Sequence, residues 1–245
     1  MVEKKVKNKK FGYRFFLVII FIIAVCAGAM IMIITMRNRG GPFEGLAISP
    51  HPGLGKVIYI LPIGVVKDET KEFLRAFLVE QYGHPAEILA PETIPNFIER
   101  RQNQLNADAI RRWLKQRKGI PNDAFRLVAI TEDDIYSEGY NFIFGQADVG
   151  GLIMLLSLHR LIPVSDGGSR IIGAKADSLF HERLRKLARH ELGHTFGLPH
   201  CSKNSCVMCF HISLDALDRG GEFYCDKCKQ MIIERNPALR NSLQQ

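Results

Sequence analysis

The sequence predicts an α/β chain of mixed α+β type, a twisted sheet with packed helices, preceded by one transmembrane helix and followed by a small cysteine-rich part. Three observations carry this. Apolar runs and amphipathic stretches alternate in the order β-α-β-α-β from Val57 to Thr131, the pattern of helices packed on a mostly parallel sheet. An uncharged apolar run stretches from Phe15 to Met36. Cys201, Cys206, Cys209, Cys225 and Cys228 crowd together beside histidines, which reads as metal before disulfide.

Composition sets the outer bounds. A chain of 245 residues, 47% apolar, can build one substantial domain with a real core. Nothing in it indicates disorder or a repeat. The net charge of +8 would suit nucleic acid, but Lys4, Lys5, Lys7, Lys9, Lys10, Arg14, Arg37 and Arg39 oppose only Glu3 in residues 1–39. The rest is close to neutral. A nucleic-acid binder carries its basic footprint on the folded domain, so no nucleic-acid partner is expected.

Residues 1–14 form a basic tail. Phe15 to Met36 exceeds the roughly 20 residues needed to span a bilayer core. Six basic residues precede the run and two follow it, which places the tail in the cytoplasm and the rest outside, as a single-pass membrane protein. A cleaved signal peptide is the alternative, given Ala27-Gly28-Ala29. The run continues through Met30 to Ile34, which favours an uncleaved anchor. Cys26 reads as a small apolar residue within it. Residues 37–55, rich in Gly and Pro, read as a linker, leaving 56–245 as the folded domain.

Within that domain, Val57 to Leu61 reads as a buried strand. Thr70 to Tyr82 reads as a helix, with Phe73, Leu74, Phe77 and Leu78 at helical spacing. Ala86 to Leu89 is a short strand. Asn106 to Lys118 is a second helix, striped by Ala109, Ile110, Trp113 and Leu114. Phe125 to Thr131, Asn141 to Phe144 and Leu152 to Leu158 are further strands. Asp177 to Phe196 is a third helix, with Asp177 or Ser178 available as its cap. Beyond Gly197 periodicity fades, and a segment of that kind is more often held by metal than by a core of its own.

The third helix ends in His190-Glu191-Leu192-Gly193-His194. Residues four apart share a helical face, so both imidazoles can converge on one cation. Gly197 suits the left-handed turn that stops helices, and His200 follows three residues later. Three nitrogens leave a fourth zinc position open, the arrangement of a catalytic site. Glu191 adjoins the first ligand and can act as general base towards a bound water. HExxH occurs by chance in ordinary helices; the added xxGxxH makes chance far less credible. Cys201-x4-Cys206 and Cys225-x2-Cys228 form two pairs that would close a structural zinc site. Disulfides are the competing reading for a domain facing outside. Cys209 is left over.

The run His190 to Cys201, with Cys206-Val207-Met208 and Cys225-x2-Cys228, resembles the archaemetzincins, a branch of the metzincin metallopeptidases. So do Ala129 to Tyr136, Asn141 to Gly145 and Leu156 to Leu161, and the resemblance runs over roughly residues 56–229. It implies a metzincin-like mixed sheet with the zinc helix beneath it, peptide hydrolysis, and two zincs. Cys201, Cys206, Cys225 and Cys228 would hold the second zinc. Met208 would be the methionine of the turn under the first. Leu152 to Leu158 would be the edge strand along which a peptide substrate pairs. Cys209 and the apolar N-terminal run stand outside the family pattern. The function expected is therefore that of a membrane-anchored zinc metallopeptidase acting on a peptide or protein; the alternative is a non-catalytic, zinc-stabilised peptide-binding or envelope domain.

Overall fold

The computed structural model describes residues 55–117, 119–165 and 167–243. The expected tail, anchor and most of the linker fall on residues 1–54, outside the described residues. Among the described residues no helix is long and apolar enough to cross a membrane.

The chain runs β1 (Val57–Ile63), α1 (Asp68–Tyr82), β2 (Ala86–Ile88), β3 (Arg100–Arg101), β4 (Gln104–Asn106), α2 (Ala107–Gln116), β5 (Ala124–Thr131), β6 (Asp134–Tyr136), β7 (Gly145–Ala147), β8 (Ile153–Ser157), α3 (Ala174–Thr195), α4 (Leu214–Arg219), α5 (Asp226–Arg235) and α6 (Arg240–Leu243). The main sheet has the order β2-β1-β5-β8-β7. Its first four strands are parallel, and β7 pairs antiparallel with β8.

Successive strand residues point to opposite faces, and both faces here are covered. Ile58, Ile60, Val128, Ile130, Met154 and Leu156 pack with Leu74 and Leu78 of α1 and Leu184, Leu187, Ala188 and Leu192 of α3. Tyr59, Leu61, Leu127, Ala129, Ile153 and Leu155 pack with Ile110 and Leu114 of α2 on the other side. Burial on both faces explains why these strands read as unbroken apolar runs. Asn106 caps α2 by accepting from the Ala109 N–H at 3.0 Å.

The structure corrects three expectations. Leu152 to Leu158 is not the edge: β8 lies between β5 and β7, and β7 is the edge strand. Asn141 to Phe144 is not a strand; it meets the sheets through an isolated bridge of Ile143 to Ile135 and through Phe144 O, which accepts from the Ser157 N–H, and β7 starts at Gly145. The third helix begins at Ala174, three residues early, with Gly173 at its N-cap and no capping side chain, so neither Asp177 nor Ser178 caps it. The C-terminal segment has no separate core: Ile232, Ile233, Leu239 and Leu243 join the core that holds α3. A small second sheet, β3-β4-β6, was not expected.

Candidate active site and metal centres

Helix α3 carries His190 and His194 about one turn apart, with Glu191 next to His190, and the chain then reverses. Gly197 sits at φ 89°, its N–H bonds His194 O at 2.8 Å, and the Leu198 N–H bonds Gly193 O at 3.0 Å. This paired closure of the last turn is a Schellman motif with glycine at the left-handed position. It returns the chain so that the His200 ring centroid lies 4.8 Å from His194 and 5.3 Å from His190. One ring nitrogen from each of the three lies within 4.8 Å of the others.

Backbone carbonyls set the tautomers. His190 Nδ1 faces Val207 O at 2.7 Å, and His194 Nδ1 faces Leu198 O at 2.8 Å. A carbonyl can only accept, so each Nδ1 carries its proton and each Nε2 offers a lone pair. The two Nε2 atoms are 3.1 Å apart. A tetrahedral zinc with bonds of about 2.0–2.1 Å would separate two nitrogens by about 3.3 Å. Two opposed lone pairs at this spacing fit a shared cation. Burial, then the neighbouring imidazoles, lowers His190 well below its usual range. Burial and His200 lower His194 to about 3, and burial and His211 lower His200 to about 4. All three are therefore neutral, as metal ligation requires.

Glu191 is 4% exposed. Its Oε2 has no hydrogen-bond partner among the described residues, and burial raises its pKa to about 8. The carboxylate lies against Gly145 of the edge strand so closely that a Cβ there would be 2.7 Å from Oε1. Met208 is fully buried under the zinc helix, where a Cβ on Gly193 would stand 2.3 Å from its Sδ. Tyr224 also packs there. Its hydroxyl donates to Arg189 O at 2.6 Å and meets Tyr82 OH at 3.2 Å, so it braces the helix from behind.

Below the histidines, Cys201, Cys206, Cys225 and Cys228 place their sulfurs within 4.8 Å of one another. Cys201 and Cys225 are 3.9 Å apart, and Cys206 and Cys228 are 3.7 Å apart. Zn–S bonds of about 2.3 Å give tetrahedral edges of about 3.8 Å, whereas a disulfide needs about 2.05 Å. All four thiols are free. Burial raises Cys225, but hydrogen bonds from Cys228, Cys206 and Cys201 outweigh it and bring the thiol down to about 7. Burial and the neighbouring sulfurs push Cys228 far up. The thiols thus resist joint ionisation until a cation is present. Cys209 turns away to Asn204 Oδ1 at 3.6 Å and is not one of the four.

The seven side chains expected as ligands thus fall into two clusters, with Glu191 beside His190 on α3 and Met208 packed beneath Gly193. Sequence reasoning missed their supports. It marks Gly145 as a break between strands, not as room for a carboxylate, and carbonyls such as Val207 O carry no sequence signal at all. It also left His211 unassigned, although protonation there would further lower His190 and His200, and it passed over Phe210, whose ring lies 4.8 Å from His200.

A mixed sheet over a helix ending in this histidine pair, a glycine turn, a third histidine and a methionine beneath defines a zinc metallopeptidase of the metzincin class. Comparison with known proteins narrows this. The model of peptidase family M54 matches residues 65–234. An archaemetzincin of Pyrococcus furiosus is 35% identical over 185 residues, covering 73% of this chain and 93% of the relative. One of Methanocaldococcus jannaschii is 35% identical over 179 residues, with the same coverage. The crystal structure of archaemetzincin from Archaeoglobus fulgidus, complexed with malonate, aligns with TM-score 0.59 at 32% identity, covering 71% of this chain and 99% of that one. That of Methanopyrus kandleri aligns with TM-score 0.61 at 27% identity, covering 76% and 97%. The chain belongs to the archaemetzincins, peptidase family M54, and is a zinc-dependent metallopeptidase with peptide substrates.

Proposed function

We propose that His190, His194 and His200 hold the catalytic zinc, that Glu191 is the general base, and that Cys201, Cys206, Cys225 and Cys228 hold a second, structural zinc. The observation that carries this reading is the convergence of three neutral imidazoles next to a buried carboxyl. Bound zinc supplies Lewis acidity and a water that ionises near neutral pH. The chain's own residues do the rest. The Val207 and Leu198 carbonyls orient two of the ligands. Glu191, held against Gly145, takes the proton of the attacking water and returns it to the leaving amine. The edge strand β7 offers backbone groups for an extended substrate to pair with. Met208 supports the zinc helix from below. The Glu191→Gln variant should keep two zincs per chain and lose at least about a hundredfold in kcat, the scale of a general base. Wild-type turnover by that variant overturns the assignment.

The apolar run from Phe15 to Met36 supports, on length and flanking charge, a single-pass anchor with the N-terminus cytoplasmic and the peptidase domain outside. Its test is fractionation. The full chain should stay in the membrane pellet after alkaline extraction, and a cysteine-free domain reporter should be reachable from outside. Release of the chain into the soluble fraction overturns it.

A further inference from the structure

The edge strand β7 is only three residues long, and its first and last residues face α3. Phe144 O accepts from the Ser157 N–H, and the Asp148 N–H donates to Ile153 O. Gln146 lies opposite Leu155 and belongs to the same set that bonds β8, so Gly145 and Ala147 turn their backbone groups outward. Gly145 lies against the Glu191 carboxylate, and Ala147 packs into the core on the α3 side. Gln146, between them, points to the opposite face of the sheet. It is 1% exposed, and its Nε2 donates to Asp108 Oδ1 at 2.7 Å.

Asp108 sits in the first turn of α2 and holds more than Gln146. Its Oδ2 accepts from Ser137 Oγ at 2.7 Å and from the Glu138 N–H at 3.4 Å. One carboxylate therefore closes the loop 137–146 at both ends. That loop carries Tyr140, whose ring meets Phe210 edge-on at 6.2 Å, and Phe210 lies 4.8 Å from His200. Burial raises the Asp108 carboxyl, but the bonds from Ser137, Gln146 and the Glu138 N–H outweigh it and hold the group below its ordinary value. Asp108 is thus ionised at neutral pH, and its bonds are charge-assisted. Arg111 and Lys115, on the same face of α2, grip Asp148 just past the other end of β7. Among the described residues Asp108 makes no hydrogen bond or ion pair to α3.

We propose that Asp108 is a positioning residue for the substrate: through Gln146 and Ser137 it fixes β7 and the loop 137–146 where an extended peptide pairs with Gly145 and Ala147 beside Glu191. The inference rests on β7 being the strand that receives the substrate and on Glu191 being the base. An edge this short has few backbone bonds to hold it, so the buried side-chain bond of its middle residue decides where it lies. Removing Asp108 leaves the Gln146 amide with no partner on either atom, since its Oε1 has none among the described residues. A buried amide in that state is costly, and β7 shifts as the amide finds another partner. Asp108 acts on where the peptide lies and not on the base or the histidines, so its loss raises KM and spares kcat.

The test uses the full zinc-loaded chain and the peptide most readily cleaved from a pool of randomised octapeptides, with products read by mass spectrometry. Asp108→Ala should raise KM about tenfold or more, the scale of losing charge-assisted hydrogen bonds, while kcat stays within about threefold and zinc content is unchanged. Asp108→Asn should be milder, because a turned Gln146 amide can accept from the new amide. Gln146→Ala should reproduce Asp108→Ala, and the double variant should be no worse than either alone, as for one shared interaction. Deuterium uptake over residues 137–147 should rise in Asp108→Ala, with uptake over α3 unchanged. Wild-type KM in Asp108→Ala, or additive losses in the double variant, overturns the proposal. So does a KM rise that comes with zinc loss and faster exchange over α3, which would make Asp108 a residue of general stability. These outcomes leave the peptidase intact. No cleavage by the wild-type chain, or undiminished cleavage by Glu191→Gln, would instead overturn the catalytic reading and the inference with it.

Discussion

Replacing Gly145 with alanine should separate catalysis from metal binding. Gly145 touches neither zinc cluster, yet an added Cβ would lie 2.7 Å from Glu191 Oε1, 2.9 Å from its Cγ and 2.9 Å from Leu155 O. Ordinary contact between such atoms is about 3.4 Å or more, so something must yield by about 0.5–0.7 Å. The backbone oxygen of Leu155 is fixed in the β7–β8 ladder. The Glu191 carboxylate, with one oxygen that makes no hydrogen bond among the described residues, is the softer partner and should be displaced. A misplacement on the order of 1 Å in a reacting group costs about a hundredfold in rate, so kcat should fall about 10- to 100-fold. Zinc content, read by elemental analysis, should not change, and stability should fall by about 1–3 kcal/mol, as for other overpacked sites. A variant with wild-type kcat would refute the placement of Glu191 beside the edge strand. A variant that lost zinc would refute the claim that this contact acts on the base alone.

Gly193→Ala meets a different neighbour. Its Cβ would stand 2.3 Å from Met208 Sδ and 3.0 Å from Tyr224, so it should lower Tm and weaken zinc retention together, and unaltered thermal unfolding would count against Met208 as the seat of the zinc helix. In the metal-free chain, burial holds the Glu191 carboxyl protonated, with its pKa raised to about 8. A raised folded pKa contributes stability below the unfolded value near 4.5 and loses it as pH rises through 8. Glu191→Gln should therefore leave metal-free stability little changed at pH 4.5 and increase it progressively towards pH 9, measured by denaturant unfolding; a pH-independent difference would contradict the buried, unneutralised carboxyl.

How far the sequence reveals the fold follows from what each element buries. β1, β5 and β8 are legible because both faces are covered, which forces continuous apolar runs. That same signal misplaces the edge: an apolar run as dense as Ile153 to Ser157 belongs in the interior of a sheet. The true edge, Gly145-Gln146-Ala147, has no hydrophobic pattern because backbone pairing alone defines it. β3 and β4 are two and three polar residues long, too short for any periodicity. The proposed ligands are legible because zinc constrains residue type and spacing at once. The carbonyls that aim them are available from any residue, so only the structure reveals them.

The two proposed metal clusters are also linked through the chain. His200 is covalently bonded to Cys201, whose N–H holds Met208 O at 2.9 Å. The carbonyl that orients His190 belongs to Val207, next to Cys206, and the Val207 N–H is held by Phe223 O at 2.9 Å, two residues before Cys225. The four cysteines thus adjoin one proposed ligand of the histidine site and the hydrogen-bond partner of another. Removing Cys225 takes nothing from the first coordination sphere of that site, but it frees Cys201 and the Phe223–Cys225 segment to move. Loss of groups that orient metal ligands typically costs 10- to 100-fold in affinity. Cys225→Ala should therefore drop below two zincs per chain, and the zinc that remains at the histidines should pass to a competing chelator at about 10- to 100-fold lower chelator concentration than in the wild type. If the histidine site retained wild-type affinity while only the thiolate zinc was lost, the cysteine cluster would be an independent clamp on the C-terminal helices, and the coupling through His200 and Val207 would be wrong.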